Sequence, residues 1–162
     1  MGKINGKKKE VESIIQKGSV HMMIEVRIAT ADILFSEGRK SDARKIYLDI
    51  ISMSPDILEK DFNERKLPYR LAEKMNSEKD TTYKKYLEEA GFYYRTAPLL
   101  ETIEKLISYT DSSTQGVVRK NINGNSYILG VIERYKKRDI KFENERKKRS
   151  ERINRLEKFL NH

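Results

Sequence analysis

The chain has 162 residues, of which 36% are charged, and its formal net charge at pH 7 is +9. This length is enough for one domain whose apolar core needs neither a metal nor a disulfide. Because the chain contains no cysteine, its sequence excludes disulfide scaffolds, thiolate zinc sites and cysteine nucleophiles, and we expect a cytoplasmic protein.

The positive charge is concentrated at the two ends of the chain. Residues 1–10 carry a net charge of +3 and residues 134–162 a net charge of +7, whereas residues 11–133 carry −1. Such an asymmetry indicates basic segments that meet an anionic partner, or segments that only keep the protein soluble. No apolar run reaches the roughly 18 residues of a membrane span, and the N-terminal residues lack the apolar segment of a secretory signal, so we expect no membrane span.

In chain order, a lysine-rich lead over residues 1–10 is followed by a brief predicted helix around Val11 and Ile14. Residues 24–55 then predict two antiparallel helices, because apolar residues recur at helical spacing on both sides of Gly38. Pro55 stands where a third helix can begin. Each of the two helices has an apolar face that it cannot bury alone, so pairing is expected.

This segment resembles a tetratricopeptide repeat, a helix pair of about 34 residues with the pattern W-x2-L-G-x2-Y, then A-x3-F and P. The positions that match the repeat are Ala31, Leu34, Gly38, Ala43, Tyr47 and Pro55. Arg27 and Thr30 stand where the family has Trp and Leu, and no second copy follows at the standard spacing. The resemblance implies a groove that binds a protein or peptide, and Arg27 and Thr30 either face this groove or occupy a local surface position. The alternative is an ordinary helical hairpin in an unrelated bundle.

Beyond Pro55 the pattern predicts further helices up to residue 110. Short helices are expected on both sides of Pro68, and Ser77 with Asp80 resembles a capping box for the next helix. The apolar stripe of that helix is predicted to be core, and it consists of Tyr83, Tyr86, Leu87, Ala90 and Tyr94. Thr96 is expected to cap a separate helix with Pro98 in its first turn.

The remaining third of the chain is predicted to be differently organised. Residues 111–125 are interpreted as a linker, with a small β-hairpin at Asn123-Gly124 as the alternative. Residues 126–162 are predicted to form one long basic helix. The expected domains are therefore the lead 1–10, a helical body 11–110, the linker or hairpin 111–125 and the helix 126–162.

The basic ends are the candidate contacts for nucleic acid or another anionic partner. The candidate residues are Lys7, Lys8, Lys9, Arg146, Lys147, Lys148, Arg149, Arg152 and Arg155. On a helix, the six of these in the tail surround its axis, as contact with phosphates requires, while neighbouring glutamates reduce the positive field. The alternatives are a solvated helix with internal ion pairs and an acidic protein partner.

The last turns of the chain restore an apolar stripe made of Ile153, Leu156, Phe159 and Leu160. We expect this stripe either to dock on the body or to pair with another copy of the chain. Tyrosines interleaved with lysines, as in Tyr83-Lys84-Lys85-Tyr86, are typical of base stacking in nucleic-acid binding, but core packing is the favoured interpretation.

The sequence predicts no enzyme and no cofactor, because it has no glycine-rich phosphate loop and its two histidines lack a metal-ligand spacing. The predicted fold class is all-α, an antiparallel helical bundle or a short tetratricopeptide-like array. The first functional hypothesis is a non-catalytic adaptor or scaffold that binds a protein or peptide. The second is a nucleic-acid-binding accessory protein that uses its basic ends.

Overall fold

The computed structural model describes residues 20–109, 111–138, 140 and 142–162. Helices account for 84% of these residues, and no strand occurs among them, which confirms the predicted all-α class. The helices are α1 (Val20–Ser36), α2 (Lys40–Ile51), α3 (Pro55–Asn63), α4 (Tyr69–Ser77), α5 (Thr81–Tyr109), α6 (Ser112–Asn123), α7 (Ser126–Lys137) and α8 (Glu143–Leu160). Within this part of the chain, no helix combines the length and the apolar character needed to cross a bilayer. The basic lead and the brief helix predicted near Val11 lie outside it.

The hairpin of α1 and α2 forms as the sequence predicts. Gly38 occupies the turn with φ +85°, a conformation that glycine adopts without steric cost. Ala31 and Ala43 are fully buried and allow the two helices to approach closely, and Leu34 and Tyr47 are buried beside them. Pro55 is the first residue of α3, where its missing N–H group costs no helical hydrogen bond.

The expectation that Thr30 could face an open groove is wrong. Its side chain is buried, and its hydroxyl donates to the carbonyl of Val26 one turn earlier, at 2.9 Å. Arg27 is half-buried. A hydroxyl that bonds within its own helix can be placed in a core without an unpaired donor.

The second half of α5 lies at the centre of the molecule. Leu99, Leu100, Ile103 and Leu106 are buried there, and α1, α2 and α3 contribute to the same core. The C-terminal helices belong to this core as well, because Val118, Ile122, Ile128, Val131, Ile153 and Leu156 are part of it. Seven of the eight described helices therefore share one apolar core, whereas α4 has no buried residue and contributes none to it.

The helix α5 is continuous, so the prediction of two helices separated at Thr96 is wrong. The Thr96 hydroxyl is buried and donates to the Phe92 carbonyl at 2.8 Å, so it does not cap a new helix. Pro98 lies inside the helix. At the start of α5 the capping side chain is Asp80, which accepts from the amides of Thr82 and Tyr83, whereas Ser77 ends α4.

Residues 112–123 form α6, so the prediction of a linker or β-hairpin over 111–125 is wrong. Asp111 caps the helix by accepting from the Thr114 amide at 2.9 Å. Hydrogen bonds from Ser113 and then Thr114 hold the pKa of this carboxyl well below its usual range. Val118 and Ile122 are fully buried, and this burial outweighs the preference of their segment for a strand.

Residues 126–162 form two helices instead of the one long helix predicted. Arg138 and Phe142 have extended backbone (ψ 134° and 133°), and Ile140 between them is buried. A single helix of this length would extend about 55 Å, beyond the surface of a small domain. The break lets α8 pack against α6 and α7, so that both helices bury their apolar faces.

Asn125 connects α7 to the turn between α2 and α3. It is 4% exposed, its side-chain oxygen accepts from the amides of Tyr127 and Ile128, and its nitrogen donates to the Met53 carbonyl at 2.9 Å. We expect Asn125→Ala to lower the free energy of unfolding by about 2 to 4 kcal/mol, since it removes a helix cap and leaves a carbonyl unpaired. Urea unfolding measures this loss.

Two further variants separate the roles of Asn125. Asn125→Ser keeps a capping oxygen but loses the bond to Met53. Its free energy of unfolding should therefore lie between that of the wild type and that of the alanine variant. Asn144→Ala changes an exposed asparagine on α8 and should leave stability within about 0.5 kcal/mol. Equal losses for Asn125→Ala and Asn144→Ala would contradict the assigned role.

Candidate functional site

The first half of α5 carries tyrosines on the face opposite to the core. Among the residues predicted to be core, Leu87 is buried, but Tyr83 is 36% exposed, Tyr94 is 49% exposed and Ala90 is exposed, so that prediction is wrong for them. At 100° per residue, the buried residues Phe92, Thr96, Leu99 and Ile103 lie on the other side of the helix. We name Tyr83, Tyr86, Ala90 and Tyr94 the tyrosine strip.

The stripe was identified from the sequence, but it was assigned to the core because α5 was divided at Thr96. Tyr83 and Leu99 are 16 residues apart, which places them about 160° apart on a continuous helix. Counting the helical period across Thr96 shows that one helix has two apolar faces and that only one of them can meet the core. A helix that is apolar on two opposite faces normally has a second partner.

An open cleft borders the strip on the side of α3 and α4. It has a volume of about 1000 Å³, and Ala90, Tyr94 and Ala97 of α5 line it together with Leu71 of α4. Its rim carries three exposed carboxylates, Glu25, Glu64 and Glu101. We name it the acidic cleft.

One charge pair of the acidic cleft is structural. Asp61 is 5% exposed and accepts from Arg65 at 3.0 Å, and the guanidinium of Arg65 lies over the Phe62 ring at 4.3 Å. The Arg65 carbonyl accepts from Arg95 of α5 at 3.2 Å. These contacts hold the loop after α3 against α5, so the shape of the cleft does not depend on the exposed carboxylates.

A second cleft borders the strip on the side of α7 and α8. It has a volume of about 810 Å³, and Tyr83, Tyr86 and Ala90 line it on α5. Phe142, which is 64% exposed, and Lys148 line its other side. We name it the aromatic cleft.

Three of the five aromatic rings that line the aromatic cleft, Tyr83, Tyr93 and Tyr135, have a cationic neighbour. Tyr93 and Tyr135 are stacked with their ring centroids 5.8 Å apart, and the Arg138 guanidinium lies 4.6 Å from the Tyr93 ring. On α4, the Lys74 ammonium lies 4.9 Å from the Tyr83 ring. These cation–π contacts occupy ring faces that a nucleobase would need for stacking.

The six basic candidates on α8 separate into two groups. Arg149 donates to the Arg138 carbonyl, while Arg152 and Arg155 donate to Glu104 of α5 at 2.8 and 3.2 Å. Burial opposes the charge of Arg152, but hydrogen bonds to Glu104 and Tyr93 outweigh it and raise its pKa. These three arginines therefore attach α8 to the rest of the molecule, and their contact with an anionic partner stays a prediction.

The second group is exposed. Arg146, Lys147 and Lys148 lie on the first turns of α8, and no carboxylate of the described residues lies within ion-pair distance of them. Lys7, Lys8 and Lys9 lie outside the part of the chain that the structure describes. Three of the nine basic candidates thus form an exposed cationic group in the structure.

The apolar end of α8 is docked on the body. Ile153 and Leu156 are 6% and 1% exposed, and Phe159 and Leu160 are partly buried against the core. Arg119 of α6 donates to the Phe159 carbonyl at 2.8 Å, which satisfies a free carbonyl at the helix end. Of the two expectations for this stripe, the structure supports docking within the chain over pairing between copies.

Metal-ligating side chains are dispersed in the described part of the chain. Within 20–109, 111–138, 140 and 142–162, no group of three or more metal-ligating side chains lies close enough to hold an ion. A polar network joins Tyr47, Asp32 and Lys105. In it, the Tyr47 hydroxyl donates to Asp32 at 2.5 Å, and Lys105 donates to Asp32 as well. Burial and the bond to Asp32 raise the pKa of Tyr47.

Comparisons of the chain with protein-family models, with curated proteins and with solved structures found no match.

Proposed function

We propose that this protein is a non-catalytic adaptor that binds another protein through the tyrosine strip. The observation that carries the proposal is the second apolar face of α5, which lies opposite the core and between two clefts. Tyrosine is enriched in protein interfaces, because its ring supplies a large contact area while its hydroxyl meets the polar rim. The strip offers three such rings at helical spacing.

The tetratricopeptide resemblance remains part of this proposal. The matching residues are buried, lie in the turn or, in the case of Pro55, begin α3, which is compatible with a repeat as well as with an ordinary hairpin. In a repeat array, the concave surface between helix pairs binds peptides. The acidic and aromatic clefts offer concave surfaces on both sides of α5, and they are the places where a peptide segment of the partner would lie.

The partner experiment uses a photo-crosslinking residue at Tyr86 in the full chain. After a crosslinked partner has been identified and purified, its dissociation constant is measured for the wild type and for Tyr83→Ser/Tyr94→Ser. We expect the double variant to bind about tenfold or more weakly, because central tyrosines of an interface often contribute more than 1 kcal/mol each. The thermal midpoint should change little, since Tyr94 is exposed and Tyr83 loses only its contact with the Lys74 ammonium.

The matched control is Tyr69→Ser. Tyr69 is 78% exposed on α4 and lines neither cleft, so this variant removes a tyrosine without touching the strip. Binding within twofold of the wild type is expected for the control. If the double variant and the control bind the partner equally well, the strip is not the interface.

Nucleic-acid binding is the second candidate function, and the exposed group Arg146, Lys147 and Lys148 favours it. Three phosphate contacts would give a slope of about −3 in a plot of log affinity against log salt for duplex DNA. Because α8 is part of the core, deleting the tail would unfold the protein, and replacing the three cations by glutamine in the full chain is the better test. Binding to duplex and single strands is measured over a salt series. No binding of the wild type at low salt would exclude this function.

A further inference from the structure

We infer that the segment of the partner that lies in the acidic cleft is basic and amphipathic, with lysines or arginines on both sides of an apolar residue. This inference rests on the proposed function, because the segment belongs to the protein that the tyrosine strip binds. It deepens that function by stating which of the two clefts receives the segment and which chemistry recognises it.

The fold brings three exposed carboxylates from distant parts of the sequence to the rim of the acidic cleft. Glu25 lies on α1, Glu64 directly follows α3 and Glu101 lies on α5. No cation among the described residues is within ion-pair distance of any of the three. The whole lining has four carboxylates and two cations, a net charge of −2. This rim attracts a basic segment and repels the phosphates of a nucleic acid.

Pro98 adds a neutral acceptor to the same cleft. A proline has no N–H group, so the carbonyl of Tyr94, one turn earlier in α5, lacks its usual helical donor. Tyr94 and Pro98 both line the cleft. The ammonium of a lysine or the guanidinium of an arginine can donate to this carbonyl as well as to the carboxylates. The ionised acidic side chains of a partner cannot, because they only accept.

Between the carboxylates, the floor of the cleft is apolar. Ala90, Tyr94 and Ala97 have the i, i+4, i+7 spacing of one helical face of α5. On the α4 side the cleft is lined by Leu71, which is half-buried. The two alanines allow the backbone of a bound segment to approach α5 closely. The apolar residue of the partner segment contacts this floor, while its basic residues reach the rim.

The wall of the cleft on the α4 side is held against α5 at Gly91. A Cβ atom at position 91 would lie 3.4 Å from Leu67 Cδ1 and 3.6 Å from the Met75 sulfur, so both side chains pack directly over the glycine. The bond from Arg95 to the Arg65 carbonyl holds the preceding loop. The cleft is therefore formed before a partner arrives, which lowers the ordering cost of binding.

The aromatic cleft is less suited to a basic segment. Its lining has three carboxylates and two cations, a net charge of −1, and the cations are Arg138 and Lys148. Arg146 and Lys147 add two exposed cations beside Lys148. A basic segment meets more like charge at this cleft than at the acidic cleft, so it is directed to the α4 side of the tyrosine strip.

The first test titrates the full, isotope-labelled chain with a synthetic peptide at low ionic strength. The peptide has about 15 residues of lysine, leucine and alanine with its leucines at helical spacing, and its matched control has glutamate in place of lysine. We expect saturable shifts of the amide NMR signals of Leu71, Ala97 and Glu101 with the basic peptide and none with the acidic one. The signals of Phe142 and Lys148 should change less. Absence of saturable shifts at the acidic cleft, or equal shifts at both clefts, would overturn the inference.

A charge variant of the chain tests the assigned recognition. Glu64→Gln/Glu101→Gln should weaken binding of the basic peptide about two- to thirtyfold, as expected for the loss of two exposed ion pairs. Glu59→Gln/Glu151→Gln removes the same charge from exposed positions that line neither cleft, and it should leave the affinity unchanged. Equal effects of the two variants would show attraction by net charge alone and would overturn the assignment.

Binding of the purified partner separates failure of this inference from failure of the proposed function. Glu64→Gln/Glu101→Gln should weaken the partner complex and reduce its dependence on salt. If Tyr83→Ser/Tyr94→Ser weakens the complex and the glutamine variant does not, the tyrosine strip is the interface but the bound segment is not basic. If only the glutamine variant weakens it, the cleft binds a basic segment and the proposed role of the strip fails.

Discussion

Leu156→Asp is expected to lower the free energy of unfolding by about 4 kcal/mol or more. Leu156 is 1% exposed and lies in the common core, so the change removes a buried apolar side chain and introduces a carboxylate. Loss of the leucine alone costs about 2 to 5 kcal/mol, and desolvation of the carboxylate adds to this. Since small domains have a total stability of about 5 to 15 kcal/mol, the variant should be close to unfolding. Urea unfolding followed by circular dichroism measures the change.

The matched control is Asn154→Asp, which adds the same charge two residues earlier on the exposed face of α8. Its stability should remain within about 0.5 kcal/mol of the wild type. The expected solution mass of the wild type, measured by sedimentation, is that of one chain, because the apolar stripe is already buried within the molecule. Should Leu156→Asp be as stable as its control, docking of α8 on the body would be refuted.

The parts of the fold that follow from local signals could be predicted from the sequence. The hairpin of α1 and α2 depends on a helical period, a glycine at positive φ and a proline at the first position of α3. Each of these acts within a few residues. For this reason, Gly38 and Pro55 were placed correctly without knowledge of the rest of the molecule.

The errors occurred where contacts distant in sequence decide the structure. The segment of α6 contains Val117, Val118 and Ile122, which favour strands, yet the burial of Val118 and Ile122 together with the cap at Asp111 makes it a helix. Similarly, no local breaker interrupts the predicted helix 126–162. Its break around Ile140 follows from the packing of α8 on α6 and α7.

The candidate site was predicted only in part. The cationic residues Arg146, Lys147 and Lys148 were identified correctly as exposed, because a helical segment without apolar residues has no face for a core. Arg152 has the same charge but a partner, Glu104, that lies 48 residues away in the chain. Such a pairing leaves no local signal in the sequence. The tyrosine strip, in contrast, was recognisable from the helical period once α5 is treated as one helix.

Two substitutions of Tyr47 distinguish the contribution of its ring to stability from that of its hydroxyl. Its side chain is 1% exposed, and its hydroxyl donates to Asp32, which also accepts from Lys105 at 2.8 Å. We expect Tyr47→Ala to cost about 3 to 5 kcal/mol, as for other large aromatic residues in a core. In contrast, Tyr47→Phe should cost only about 1 kcal/mol, because Lys105 remains as a partner of Asp32. Equal losses for the two variants, measured by urea unfolding, would contradict the packing role of the ring.

The hydroxyl of Tyr47 also makes stability depend on pH. Burial, followed by the hydrogen bond to Asp32, raises its pKa in the folded state, whereas in the unfolded chain the pKa is near 10. The folded state therefore retains this proton more strongly, and its contribution is fully present below pH 10 and decreases as the pH rises above that value. In Tyr47→Phe this decrease should be smaller than in the wild type when urea unfolding is compared at pH 9 and pH 11. If the free energy of unfolding decreases equally in both proteins between pH 9 and pH 11, other groups cause that decrease. The bond between Tyr47 and Asp32 would then make no contribution to the pH dependence.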